Sequence, residues 1–203
     1  MLFVLTGKIQ EGKTRWLSGL TEALHDVGVT CHGVLSLGLW RTHEAEGSTP
    51  TYEKLGIEAL LLPDDVRIPF AWRRDLAPQA HENEGSQSNR AGLHWVIPDE
   101  AIDTVNQHLA GLLVRADEQP ARQKGLLIID ELGILELQGS GGFTSALELL
   151  RQGRNRLYQH ALVVVRAELL ENAVERFKGM WDGLMVIAPD ATSRESVFSV
   201  FEQ

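Results

Sequence analysis

The sequence has a single cysteine, Cys31, in 203 residues. A lone thiol excludes a disulfide framework and a thiolate zinc cluster, and it fits a reducing compartment. Long apolar runs are missing as well. The longest, such as 126–129 and 162–165, fall far short of the roughly 20 residues that span a bilayer, so no membrane partner is expected. No basic segment precedes the apolar residues 2–5, so a signal peptide is not expected and the reading is a cytoplasmic protein. Positive charge is scarce: 19 Lys and Arg stand against 28 Asp and Glu, a formal net charge of −9. Phosphate contacts dominate nucleic-acid affinity, so DNA and RNA are not expected as partners. The seven histidines show no metal-ligand spacing, which argues against zinc. What remains is 43% hydrophobic and 23% charged, ordinary for a globular chain. The length predicts one domain over 1–203, large enough to bury a core without staples.

Apolar strands alternate with amphipathic helices along the chain. Strands are predicted at 2–6, 30–40, 51–62, 94–97, 125–129, 161–165 and 184–188. Helices are predicted at 13–27, from Pro98 to about 116, at 143–157, at 168–178 and at 192–202. Such alternation implies an α/β fold: a largely parallel sheet with helices on both faces, in three layers. Residues 139–142 read as a flexible connection, and 63–92 as an irregular, mobile segment with no apolar period from 79 onward.

The strongest local signal is Gly7-Lys8-Ile9-Gln10-Glu11-Gly12-Lys13-Thr14, a full match to G-x-x-x-x-G-K-[ST]. A strand precedes it and a helix follows, with Arg15 in the first turn. Such a loop wraps polyphosphate with backbone N–H groups, and the helix N-terminus adds unpaired amides and a favourable dipole. Lys13 supplies a point charge to the β- and γ-phosphates, and Thr14 a hydroxyl to Mg²⁺. The positive potential is local, which is how an acidic chain binds ATP or another nucleoside triphosphate. Lys8 occupies the place of a second lysine in deviant loops of dimeric ATPases. Those loops carry adjacent glycines where this chain has Ile9 and Gln10, so Lys8 reads as a solvated lysine near phosphate.

Leu126–Ile129 is an apolar run ending in Asp130-Glu131. In α/β sheets ligands sit beyond the carboxyl ends of the strands. Asp130 is thus placed to serve the Mg²⁺ bound through Thr14, and Glu131 to orient or deprotonate an attacking water. A glutamate directly after the aspartate favours hydrolysis, and it suggests the RecA-like class, in which one strand intervenes between the two motifs.

These residues resemble the THEP-type nucleoside-triphosphatases, which carry a P-loop and, much later, an Ile-Asp-Glu-Ile-Gly-x-Met-Glu-Leu signature; this chain has Ile129-Asp130-Glu131-Leu132-Gly133-Ile134-Leu135-Glu136-Leu137. Gly33-Val34-Leu35-Ser36, Gly56-Ile57 and the stretch from Ala188 to Glu195 resemble further family segments in family order. The resemblance implies a RecA-like P-loop NTPase with broad base tolerance. It places Lys13 and Thr14 on phosphate and Mg²⁺, makes Asp130 the Mg²⁺ partner and Glu131 the base, and puts Arg194 near the nucleotide. The chain departs from the family at Ile9, Gln10 and Arg15. It has Gly38 where an acid is usual and Arg166 near a usual histidine.

Arginines stabilise charge on a transferring phosphoryl group. Arg166 is in a sensor-like position after strand 161–165, and Arg194 is favoured by the resemblance. The five tryptophans read as packing residues rather than base stackers. The function expected is Mg²⁺-dependent hydrolysis of the β–γ bond of ATP- or GTP-type nucleotides. The alternatives are a P-loop kinase of a small metabolite, or a nucleotide-dependent module that binds an unknown protein partner.

Overall fold

The computed structural model describes residues 1–8, 11–43, 49–78, 85–119, 123–139 and 141–202. Its strands are β1 (Leu2–Leu5), β2 (Thr30–His43), β3 (Thr51–Leu62), β4 (Val66–Arg73), β5 (Trp95–Val96), β6 (Gly125–Leu132), β7 (His160–Val165) and β8 (Leu184–Ile187). Its helices are α1 (Lys13–Asp26), α2 (Gln87–Arg90), α3 (Asp99–Glu118), α4 (Ile134–Leu137), α5 (Thr144–Gln152), α6 (Leu170–Phe177) and α7 (Ala191–Ser199). The strands join in one sheet of order β5-β4-β3-β2-β6-β7-β1-β8. β2, β6, β7, β1 and β8 run parallel, and β3, β4 and β5 extend the β2 edge antiparallel. β7 thus lies between β1 and β6, the strand intervening between the two motifs.

Successive side chains of a strand point to opposite faces, and this splits the core in two. Leu2, Val4, Leu127, Ile129, Ala161, Val163 and Val165 pack on one face with α3, α5 and α6. Phe3, Leu5, Leu126, Ile128, Leu162 and Val164 pack on the other with α1 and α7. Strands apolar at every position are what a sheet covered on both faces requires. The result is the three-layer α/β fold that the alternation predicts. Among the described residues no helix is long and apolar enough to cross a membrane.

Three expectations need correction. The described part of 63–92 is not irregular: it holds β4, a 3-10 turn at Arg74–Leu76 and α2. Pro69 hid the strand, because proline interrupts a ladder. It is tolerated here at an irregularity opposite Ile57/Glu58, beyond the short β5, which reaches only Trp72 and Arg73. Residues 79–84, the rest of the proposed mobile loop, lie outside the described residues. The helix predicted over 143–157 stops at Gln152, because Gly153 takes a positive φ of 76°. Of the connection at 139–142, predicted flexible, residue 140 lies outside the described residues, and the end at Gly142 is anchored. The Gly142 amide donates to Gln87 Oε1 at 2.8 Å, and Phe143 N–H donates to Glu136 Oε1 at 2.7 Å.

His32, at the start of β2, is 3% exposed, and burial pushes its imidazole down to about 4. In the unfolded chain a histidine takes up its proton near pH 6.5. Between those two values only the unfolded chain is protonated at this residue, so stability falls as pH drops from 6.5 towards 4. The full effect is about 3 kcal/mol. Denaturant titrations at pH 7.5 and 4.5 should show wild type losing about that much more than His32→Leu. Equal losses in the two proteins would remove the assignment to His32.

Candidate active site

The site forms where β1, β6 and β7 end. β1 leads into the phosphate-loop sequence, and Gly12, with φ 87°, turns the chain into α1. Glycine is needed there because the left-handed region is costly for other residues. Ile9 and Gln10 lie outside the described residues. Lys13 Nζ donates to the carbonyls of Gly7 at 3.0 Å and Lys8 at 2.7 Å, folded back over its own loop. Glu11 Oε2 accepts the Lys8 amide at 2.6 Å, so a carboxylate engages a loop N–H. Arg15 is exposed on the first turn of α1.

Thr14 Oγ1 donates to Asp130 Oδ2 at 3.2 Å, joining the two motifs. The same carboxylate oxygen accepts the Ser36 amide at 2.9 Å, and Ser36 Oγ donates to the Asp130 carbonyl at 3.1 Å. Asp130 is 2% exposed. Burial pushes its carboxyl up to about 7; the Ser36 amide and the Thr14 hydroxyl oppose that rise, and the Glu131 charge adds to it. A hard divalent cation favours oxygen donors. The Thr14 hydroxyl and the Asp130 carboxylate, already within 3.2 Å, form a donor set that fits Mg²⁺.

Glu131 sits at an irregularity in the β6–β7 register, with a φ of 76°. A non-glycine residue held there is worth a functional question, since such backbone clusters at active sites. Its Oε1 accepts Arg166 Nη2 at 2.6 Å and Nε at 3.0 Å. Arg166 directly follows β7 and precedes a 3-10 turn at Ala167–Leu169. The strand order therefore delivers Arg166 to Glu131. Beyond them Glu136, 6% exposed, accepts Gly133 N–H at 2.8 Å and Phe143 N–H at 2.7 Å. It braces the turn that follows the acid pair.

Arg194 goes elsewhere. It donates to the Gly19 carbonyl at 3.3 Å and lies 5.9 Å from the Phe198 ring, on the flank of α1. Trp16 Nε1, donating to Asp190 O at 2.9 Å, fastens the same two helices, so Arg194 clamps α7 to α1 in this structure. Sequence reasoning missed two contributors. Ser36 enters the sequence reading only as the end of the Gly33–Ser36 family-like segment, with no role at the site, and Lys54, on β3, does not enter it. The Lys54 ammonium is supported electrostatically by Glu131 and Asp130. No local spacing gives either residue a role at the site; both reach it through the pairing of strands.

No protein-family model and no curated protein matches the chain. Solved structures do. The crystal structure of THEP1 from the hyperthermophile Aquifex aeolicus aligns over 100% of both chains, with a TM-score of 0.58 and 15% identity. The solution structure of a human cancer-related nucleoside triphosphatase aligns over 99% of this chain and 94% of its own, with a TM-score of 0.57 and 18% identity. The chain shares its fold with these two proteins.

Proposed function

We propose that this protein is a Mg²⁺-dependent nucleoside triphosphatase that cleaves the β–γ bond of ATP- or GTP-type nucleotides. One observation carries the reading: the phosphate loop with Lys13, the Thr14–Asp130 contact and the Glu131–Arg166 pair converge at the ends of three adjacent strands. The human structural neighbour is itself named a nucleoside triphosphatase, which supports the same reading.

The residues have separable tasks. Lys13 exchanges the Gly7 and Lys8 carbonyls for phosphate oxygens, and the first amides of α1 add their dipole. Thr14 and Asp130 would hold Mg²⁺, which when bound neutralises charge on the phosphate oxygens. Glu131 accepts a proton from the attacking water as its oxygen bonds to the γ-phosphorus. The bond to the bridging oxygen breaks and the diphosphate leaves with that electron pair. Arg166 turns from Glu131 to the equatorial oxygens, where charge is greatest. Arg194 is not needed for these steps.

The test is phosphate release from ATP and GTP, with and without Mg²⁺. Release that vanishes on chelation is expected, and a chain that binds nucleotide yet releases none would defeat the proposal. Lys13→Met should weaken nucleotide binding about 10- to 100-fold, the worth of charge-assisted hydrogen bonds. Titration with a nonhydrolysable analogue reads it.

A further inference from the structure

The ammonium of Lys54 lies 5.9 Å from the Trp40 ring centre and 5.2 Å from that of Trp95. Trp40 is its partner across the β2–β3 ladder, and Trp95 arrives on β5, two strands farther out. The box closes over Gly38, where a Cβ would meet the Trp40 indole nitrogen at 2.5 Å and Lys54 Cε at 3.1 Å. Indole faces attract a cation through their quadrupole and carry no net charge. The cage therefore fixes the ammonium without neutralising it. The neighbouring residues differ in this respect: Glu53 pairs with Arg41, His43 and Arg73 in an ion network of its own.

Geometry brings Lys54 towards the active site: its side chain folds back over Gly38, two residues from Ser36, whose amide donates to Asp130. Burial disfavours its charge, the carboxylates of Glu131 and Asp130 support it, and Arg166 opposes it. Among the described residues, both hydrogen bonds to the Glu131 carboxylate come from Arg166, and both fall on Oε1. That arrangement cannot persist through the reaction proposed above, which takes Arg166 to the phosphoryl group. Polyphosphate also brings negative charge beside two carboxylates. Lys13 and the proposed Mg²⁺ offset charge on the phosphates themselves, but the departure of Arg166 takes both described hydrogen bonds from Glu131 just when it must face the water.

We propose that Lys54 is a positioning residue of this site, a caged ammonium that takes over from Arg166 as the counter-charge of Glu131 when nucleotide draws Arg166 away. The role rests on the hydrolase reading and acts through Glu131 rather than on the nucleotide. The variants are Lys54→Met, Lys54→Arg and Trp40→Leu, with melting curves to confirm folding. Lys54→Met should lower kcat about 10- to 100-fold while affinity for a nonhydrolysable analogue stays within about threefold. Lys54→Arg should recover most of the loss, and Trp40→Leu, which opens one wall of the cage, should fall between. In a Glu131→Gln background Lys54→Met should cost nothing further in single-turnover rate, because its target is gone.

The proposal is overturned if Lys54→Met keeps kcat within about twofold of an active parent. It is equally overturned if the loss appears in nucleotide affinity, or recurs undiminished with Glu131→Gln. A parent that releases no phosphate defeats the hydrolase reading instead, a result distinguishable from an active parent indifferent to Lys54.

Discussion

Glu131→Gln should lower the rate of phosphate release by about 100- to 10,000-fold, the range that a positioned general base contributes. The substitution is nearly isosteric, and its neighbours limit the collateral damage. Asp130 is held by Ser36 and Thr14, not by Glu131, so the cation donor set survives. Glu131 is 38% exposed on its side chain and sits beyond the packed core, so folding should be untouched. What is lost is the charge that holds Arg166 and, in the proposed mechanism, the proton acceptor. Removing a negative charge beside a polyphosphate should leave nucleotide affinity equal or tighter. Single-turnover phosphate release measures the first effect, and equilibrium titration with ATP the second. A glutamine variant with the parent's rate would mean that another group activates the water.

Gly33→Ala should destabilise the fold by about 3 kcal/mol or more, the range reserved for strain and overpacking. Gly33 lies within β2 with φ 117°, a region that side chains rarely adopt, and a Cβ there would overlap the Ile128 carbonyl of β6. Neither strand can yield easily. Both are buried and parallel-paired from Thr30↔Gly125 to Val34↔Ile129. Gly28→Ala provides the comparison, because its φ of 77° is also left-handed but its Cβ would meet open space. That change should cost only about 1 kcal/mol, the backbone penalty alone. For a chain of this length, thermal melting should show Gly33→Ala down by about 6–12 °C and Gly28→Ala by about 2–4 °C. The first also reaches the site, since moving β2 off β6 pulls Ser36 away from Asp130. A Gly33→Ala protein melting with its Gly28→Ala counterpart would mean that the strands accommodate a methyl group.

The chemistry that depends on neighbouring residues was legible from residue types alone. The phosphate loop is contiguous, and its glycines, Lys13 and Thr14 must stand at fixed spacing to wrap an anion. Strands such as 126–129 are apolar on both faces because the sheet is covered on both faces, and so the three-layer fold could be read from alternation. Asp130-Glu131 could be read as lying near the carboxyl end of a strand for the same reason, although β6 runs on through an irregularity to Leu132. Gly153 and Pro69 show where local reading stops. The helical period continues past one and the strand period is interrupted by the other, yet backbone dihedral and ladder position decided both.

Only the tertiary structure decided which strands are neighbours. Placing β7 between β1 and β6 is what brings Arg166 to Glu131, and pairing β2 with β6 brings Ser36 to an aspartate 94 residues away. The same register puts Lys54 between two indoles, and the packing of α7 on α1 turns Arg194 towards Gly19. Such contacts join residues far apart in sequence. Their energies depend on distance and burial, which no spacing along the chain encodes, so they exist only once the sheet has closed.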